Sequence, residues 1–349
     1  MSKKRQEETD ENLKKLTLIF GEGTIITGDS KRNTEVKERV LTSSITLNNA
    51  TFGGIPKNGK VTCILGKESS SKTTLGLDII ANEQKNGGLC CFIDIEGTLD
   101  LDYAESLGVD VSKLHLVDDR QYIKQLGIKD RDIISGEEWL ELVGKLLQTN
   151  LYDIIVVDSV AALIPMADIT NGLVGGKLGS QATMAARGYK LINASIKDRK
   201  TGLVYLNQYR LSPGSYIPMY EPFGEAWKYL QALKLEISKS LDKDEDGVYG
   251  IVVKGKVSKS KICQPYKKFE YYVEFAKGIV PAYEIINLGT EYGIIDKKGN
   301  TYSFKETKLG VGEKQMNEYF NENPKALEEV KVLVMEELNK PKEITVSTE

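Results

Sequence analysis

Gly66-Lys67-Glu68-Ser69-Ser70-Ser71-Lys72-Thr73-Thr74 carries the first decisive pattern of the chain. An apolar run over residues 61–65 precedes it, and a helix-like segment over 75–80 follows. Strand, tight turn and a Lys-Thr pair opening a helix form a phosphate-binding P-loop. Backbone N–H groups curl round the phosphate chain at a helix N-terminus, Lys72 reaches the terminal phosphates, and the Thr73 hydroxyl meets Mg²⁺. One position departs from the pattern: the consensus has glycine where Ser71 stands. If that position needs a left-handed backbone, a non-glycine residue there costs about 1–2 kcal/mol. The loop therefore needs support from the rest of the chain.

That support comes from the ends of neighbouring strands. Residues 154–157, Ile-Ile-Val-Val, describe a buried strand that presents Asp158 at its tip, where the Mg²⁺ of a P-loop site is held. Asp94 and Glu96 end the strand at 89–93, where a carboxylate can orient water for attack on a γ-phosphate. Asn207 and Gln208 end the strand at 203–206, and a neutral amide there can sense a phosphate without adding charge. Each tip alone would read as a strand-end cap. Three polar tips beside one P-loop favour an active site.

The wider chain fits this core. Strand-like runs at 61–65, 89–93, 114–116, 154–157 and 203–206 alternate with helical periods at 75–84, 137–149 and 181–197. Such alternation predicts a largely parallel α/β sheet with ligands at the carboxyl ends of its strands. A charged helix is expected to about residue 19, striped by Leu13, Leu16 and Ile19, followed by a short strand at 24–27 and a polar connection. Antiparallel strands are expected at 232–237, 248–257 and 271–275, with a hairpin at 242–247. Beyond Pro281 a compact α/β tail ends in a helix over 324–338. The domain boundaries predicted are 1–35, 36–280 and 281–349.

Composition narrows the function. The 349 residues are 40% hydrophobic and 28% charged, as in a globular protein, with no run of membrane-spanning length. A net charge of −3 excludes a protein that coats nucleic acid by bulk charge, so any DNA contact is local. Cys63, Cys90, Cys91 and Cys263 lack metal-type spacing and read as reduced thiols of a cytoplasmic protein.

With 66–74, these motifs resemble the bacterial RecA recombinases: Ile93-Asp94-Ile95-Glu96-Gly97, Leu99-Asp100-Leu101-Asp102-Tyr103-Ala104, Val156-Val157-Asp158-Ser159-Val160-Ala161-Ala162-Leu163 and Leu206-Asn207-Gln208-Tyr209-Arg210. Phe20-Gly21-Glu22-Gly23-Thr24-Ile25 and Lys259-Ser260-Lys261-Ile262-Cys263-Gln264-Pro265-Tyr266-Lys267 fit as well, so the resemblance spans nearly the whole chain. It implies a RecA-type P-loop ATPase core with a mainly parallel twisted sheet, a small N-terminal helix-strand element and a small α/β C-terminal domain. It also implies a divergent member, of the kind phages carry. By resemblance, Glu96 is the catalytic glutamate, Lys72, Thr73 and Asp158 hold phosphates and Mg²⁺, and Tyr103 stacks on adenine with Asp100 close by. Gln208 couples the γ-phosphate to the loop that follows it, and Lys259 and Lys261 reach the ATP of a neighbouring subunit. Without the resemblance, residues 254–261 would read as a solvated strand edge.

Two segments read as DNA-binding loops. The first, 166–179, runs from Met166 through Gly176 and Lys177 to Gly179, and its four glycines predict a loop with no order of its own. The second, 209–228, carries Arg210, Tyr216, Phe223, Gly224 and Lys228; basic groups suit phosphates and aromatic ones can wedge bases apart. Both exceed ordinary connections in length. Three departures from the family touch DNA contact. Phe223-Gly224 stands for a Gly-Gly pair, Lys177 is the only basic residue of the first loop, and the helix after that loop lacks an arginine that the family leads one to expect near Thr183.

The expected function is an ATP-dependent, DNA-stimulated strand-exchange recombinase using ATP and Mg²⁺. It would form a homo-oligomeric helical filament on single-stranded DNA and pair it with homologous duplex, with single-strand-binding and mediator proteins as optional partners. A helicase-type motor on the same core is the alternative within enzymes, and closed rings would mark it. A weakly hydrolysing DNA-scaffolding protein is the other, against which the retained Glu96 argues.

Overall fold

The computed structural model describes residues 3–21, 24–25, 38–129, 131–171, 179–211, 219–244 and 247–340. It divides into two units, Met1–Glu38 and Arg39–Glu349. In the first, α1 (Lys3–Phe20) exposes Leu13, Leu16, Leu18, Ile19 and Phe20, which gives the helix an uncovered apolar stripe. Such a helix gains little from its own sequence and is stabilised by a surface to lie on. Thr24 and Ile25 form a bend in place of the expected strand; the rest of that strand and the connection over 28–37 lie outside the described residues.

The second unit opens with β1 (Arg39–Val40), α2 (Ile45–Ala50) and β2 (Ile55–Pro56). The alternating core follows as β3 (Val61–Gly66), α3 (Lys72–Lys85), β4 (Cys90–Asp94), α4 (Leu101–Ser106), β5 (His115–Leu116), α5 (Asp119–Gln125), α6 (Gly136–Thr149) and β6 (Ile154–Asp158). Then come α7 (Met166–Asn171), α8 (Ser180–Ile196), β7 (Gly202–Gln208), β8 (Arg210–Leu211), β9 (Met219–Tyr220) and α9 (Gly224–Leu230). Long strands β10 (Leu233–Asp244) and β11 (Gly247–Ser260) lead to β12 (Lys268–Glu274) and β13 (Gly278–Ile279). The tail holds α10 (Pro281–Glu291), β14 (Ile295–Lys298), β15 (Thr301–Phe304), β16 (Thr307–Val311), α11 (Gly312–Glu322) and α12 (Pro324–Asn339).

Nine strands make one sheet in the order β13-β12-β11-β10-β3-β7-β6-β4-β5. From β10 to β5 all neighbours are parallel, and from β10 to β13 all are antiparallel. β3 lies inside the parallel half, and every one of its residues is buried. Its alternate side chains therefore feed two cores. Ile64 joins Leu75 and Ile79 of α3 on one face, while Cys63 and Leu65 join Trp139, Leu140, Ile192 and Trp227 on the other. A strand covered on both faces reads as an unbroken apolar run, which is how residues 61–65 look in sequence. The two helices on the second face pack closely because Gly188 of α8 leaves room. A Cβ there would fall 2.5 Å from Cδ1 of Leu140 on α6.

A capping box starts α6: the Ser135 side chain receives the Glu138 N–H, and the Glu138 carboxylate receives that of Ser135. The tail has its own core of Ile285, Ile286, Tyr302, Phe304, Phe320 and Val330 beside a three-stranded sheet. Strands β10 and β11 outrun the segments expected for them, because lysine-rich faces that resemble loops in composition still pair from Leu233↔Ser260 to Asp244↔Gly247, with register shifts after Lys234 and after Asp242. The first expected loop is also not loop throughout. Met166–Asn171 is helical, with the Met166 N–H donating to Glu137 Oε2 of α6 at 2.8 Å.

Candidate nucleotide site and its surroundings

The P-loop follows β3 without slack. A Cβ at Gly66 would stand 2.8 Å from the Ile237 carbonyl oxygen, so only glycine fits there. Ser69 and Ser71 both hold left-handed backbone, with φ of 54° and 65°. Ser71 is the N-cap of α3, yet its side chain makes no capping hydrogen bond. The first-turn N–H groups of a fourteen-residue helix thus lack a side-chain acceptor, and a phosphate is the group that such an N-terminus suits. Lys72 is only 6% exposed and folds its Nζ onto the Lys67 carbonyl at 2.8 Å, as the Ser70 hydroxyl does at 2.7 Å. Burial lowers the Lys72 pKa against the pull of Asp158, Glu96 and Glu68.

The tips of β4, β6 and β7 surround this loop. Asp158 is 6% exposed and accepts from the Thr73 hydroxyl at 2.5 Å. Burial pushes its pKa up to about 6, although the Thr73 hydrogen bond works the other way. A buried carboxylate paired with a hydroxyl is poorly compensated, which suits it to a divalent cation. Among the described residues, no cluster of three or more His, Cys, Asp or Glu could hold a metal. Magnesium at this place would therefore take its remaining oxygens from phosphates and water, as Mg²⁺ in nucleotide sites does.

Asp94 and Glu96 separate in role. The Asp94 carboxylate is occupied by the N–H groups of Gly97 at 2.9 Å and Leu99 at 2.7 Å, which folds the turn after β4. Glu96 is carried by that turn to the cavity wall, where Oε1 accepts from Gln208 Nε2 at 3.2 Å and from the Ser159 hydroxyl. Asn207, 1% exposed, turns inward and accepts the Gln208 N–H at 2.9 Å. The cavity measures about 380 Å³ and is bounded by the P-loop, Glu96, Tyr103, Asp158, Gln208 and, from the long strands, Lys239, Leu241 and Ile251. Tyr103 meets the Thr74 hydroxyl at 3.0 Å, and Asp100 caps α4 by accepting the Tyr103 N–H at 3.0 Å. Neither Ser159 nor Lys239 stood out in the sequence; the neighbours of Asp158 were the only pointer to Ser159.

The expected partner-facing and DNA-facing residues lie elsewhere. Lys259 and Lys261 do not line this cavity; their ammonium groups donate to the Lys228 carbonyl and, at 2.6 Å, to the Tyr229 carbonyl at the end of α9. Arg210 donates to the Ala161 carbonyl at 2.7 Å, and Gly179, with φ of 87°, is the N-cap of α8. Gly224 opens α9. Gly176, Lys177 and Tyr216 lie outside the described residues. Phe223 requires a correction. It is 4% exposed, packed on Trp227 with ring centroids 5.0 Å apart, and so anchors the second loop from below where a base-separating wedge was expected.

A larger cavity, about 720 Å³, adjoins the P-loop at Lys67 and Glu68. Lys239, Lys254, Lys256 and Lys268 line it together with Tyr209 and Glu236. Lys254 and Lys256 belong to the segment 254–261 that in sequence looks like a solvated edge, and the side-by-side pairing of β10, β11 and β12 gathers them with Lys239 and Lys268. Among the described residues, no helix is long and apolar enough to cross a membrane. Cys63, Cys90 and Cys91 are buried free thiols, and Cys263 is a partly buried one.

Comparison with known proteins agrees with this geometry. Residues 7–280 match the sequence model of the RecA N-terminal domain, and residues 283–339 that of the RecA C-terminal domain. The chain belongs to the RecA family. It is similar to Protein RecA of Bacteroides thetaiotaomicron, 37% identical over 94% of this chain and 96% of that protein. Protein RecA of Thermus aquaticus is 34% identical over 97% of both chains, and that of Aquifex pyrophilus 37% over 91% of this chain and 88% of its own. As a RecA-family member the protein is an ATP-dependent recombinase of DNA recombination and repair. It is a DNA-dependent ATPase that uses ATP with Mg²⁺, forms homo-oligomeric filaments on single-stranded DNA and pairs it with homologous duplex.

Proposed function

We propose that Glu96, Lys72 and Gln208 carry the ATPase chemistry of this recombinase. Glu96 accepts the proton of the water whose oxygen attacks the γ-phosphorus as the bond to the departing ADP oxygen breaks. Lys72 neutralises charge on the phosphates, Thr73 and Asp158 hold Mg²⁺, and residues 66–74 supply the phosphate cradle. Tyr103 covers the adenine, with Asp100 fixing the helix that carries it. The observation that supports this reading best is the 3.2 Å contact between Gln208 Nε2 and Glu96 Oε1. It joins the water-activating carboxylate to the residue that begins the second loop, so a change at the γ-phosphate has a direct route to DNA.

Lys259 and Lys261 reach the nucleotide of the adjoining protomer across the filament interface, while the N-terminal helix docks head to tail on the next copy. Residues 166–179 and 209–228 face single-stranded DNA, with Met166, Gly176, Lys177, Gly179, Arg210, Tyr216, Gly224 and Lys228 as contacts and the buried Phe223 supporting the second loop. The lysine-lined cavity beside Tyr209 suits a DNA phosphate backbone, whose contacts would weaken with salt. Domains of 1–35, 36–280 and 281–349, and a cytoplasmic location, complete the reading. Glu96→Gln tests it in a DNA-stimulated ATPase assay. Hydrolysis should fall about 10²–10⁴-fold while ATP binding persists; an undiminished rate would remove Glu96 from the chemistry.

A further inference from the structure

Beside the two described legs of the second loop, at Tyr209 and Glu221, lies a row of polar side chains that nucleotide chemistry does not use. Three adjacent strands set it out. Lys234 of β10 stands opposite Cys63 of β3, and Cys63 stands opposite Tyr205 of β7. Lys234 is 9% exposed, an unusual place for an ammonium. Its Nζ donates to Glu221 Oε2 at 2.6 Å and lies 3.6 Å from Glu236, two residues further along β10. Burial works against the charge on Lys234, yet the hydrogen bond and the charge of Glu221 raise its pKa. Glu221 also accepts from Gln231 Nε2 at 3.1 Å, and the same amide donates to the Tyr205 hydroxyl at 2.7 Å.

The far leg of the loop is thereby tied down, since Glu221 directly follows β9. The near leg is tied to the same strand. Tyr209, between β7 and β8, faces Glu236, and burial together with the Glu236 and Glu221 charges pushes its phenol pKa up. From the cavity side Lys256 reaches Glu236 at 3.0 Å. Both feet of the β8–β9 ribbon therefore rest on positions 234 and 236, which share one face of β10. A buried ion pair is a poor source of stability, because apolar side chains of similar volume often replace it without loss. Its effect is directional: it decides where the ribbon leaves the sheet.

We infer that Glu221, Lys234, Glu236 and Tyr209 form a staple that fixes the two legs of the second loop, at Tyr209 and at Glu221, for its grip on single-stranded DNA, with Lys234 as the positioning residue. The inference rests on the assignment of residues 209–228 to DNA. Lys234→Met keeps the stem and removes the charge, and Lys234→Arg restores it. In the full-length protein, Lys234→Met should raise the single-stranded DNA concentration for half-maximal ATPase about tenfold, with kcat at saturating DNA and DNA-free nucleotide binding within about twofold of the parent. Lys234→Arg should recover most of that loss. Adding Glu221→Gln to Lys234→Met should cost no more than Lys234→Met alone, since both break the Lys234–Glu221 pair and glutamine keeps an acceptor for Gln231.

Photocrosslinking of iodouracil-substituted single-stranded DNA separates the two assignments. Crosslinks to the parent protein should map between Arg210 and Lys228. Their absence overturns the DNA role of the loop and the staple with it. Crosslinks combined with an unaltered DNA dependence in Lys234→Met overturn the staple alone. Should Lys234→Met fail to fold, Tyr209→Phe, which removes one hydroxyl from the near leg, decides the matter: about threefold weaker DNA dependence supports the staple and no change refutes it.

Discussion

Asp158 and Glu284 are both almost wholly buried carboxylates, and burial pushes their pKa up, to about 6 and about 7. Their surroundings differ. Asp158 ends a parallel strand on the wall of a cavity, with the Lys72 ammonium, the Thr73 hydroxyl and Glu96 around it. Glu284 stands in the first turn of α10, 1% exposed, accepting from the Thr46 N–H at 2.6 Å and the Ser44 hydroxyl at 3.0 Å. Asp78 lies close enough to raise its pKa further and itself accepts the Ser43 N–H at 2.9 Å; the buried Tyr271 hydroxyl faces both carboxylates. A perturbed carboxylate is therefore not by itself a mark of chemistry. Access, a cation and a neighbouring polar tip distinguish the carboxylate on the cavity wall from one that ties a tail helix to the start of the core.

The sharpest way to break this contrast is to remove the cation. Lys72→Ala should lower DNA-stimulated hydrolysis by about 10³-fold and abolish filaments formed on DNA with ATP. Normal filaments in electron micrographs would mean that the cavity owes nothing to its lysine. A smaller effect of a different kind is expected at the sealed carboxylate. The folded pKa of Glu284, about 7, exceeds the ordinary 4.5. The stability it contributes is fully present below the unfolded value and is lost as pH rises toward 7. Glu284→Gln should therefore gain about 1–3 kcal/mol at pH 8 relative to pH 5 in urea unfolding, with ATPase rates unchanged. Parallel pH profiles for variant and parent would remove Glu284 from the account of stability.

The smallest effect concerns the loop itself. The left-handed backbone at Ser71 costs a non-glycine residue about 1–2 kcal/mol. Ser71→Gly should tighten ATP binding or raise turnover by about fivefold, measured by nucleotide titration and steady-state hydrolysis. Equal values would show that serine sits there without strain.

Much of the site was legible because it is local. The 66–74 loop, the apolar runs that become β3, β4, β6 and β7, and their polar tips all declare themselves within a few residues. What escaped depends on which groups the folded chain brings together, whether near or far in sequence. Asp94 and Glu96 look alike as strand-end carboxylates until the N–H groups of Gly97 and Leu99 occupy the first. Phe223 reads as a loop aromatic because its burial comes from Trp227 on α9, which in turn packs on Tyr205 of the central strand β7. Met166–Asn171 is helical although its sequence suggests a loop, and its first N–H is held by Glu137 from another helix. Lys254, Lys256 and Lys268 face one cavity only because β10, β11 and β12 lie side by side.

Strand β10 pairs with β3 over Leu233 to Ile237 and then continues alone with β11 to Asp244, so its outer part overhangs the P-loop. Lys239 rides on that overhang and lines both the nucleotide cavity and the lysine-lined one. A single ammonium cannot screen phosphates in two compartments at full strength. The two cavities thus share one cation, and charge drawn toward one of them is withdrawn from the other.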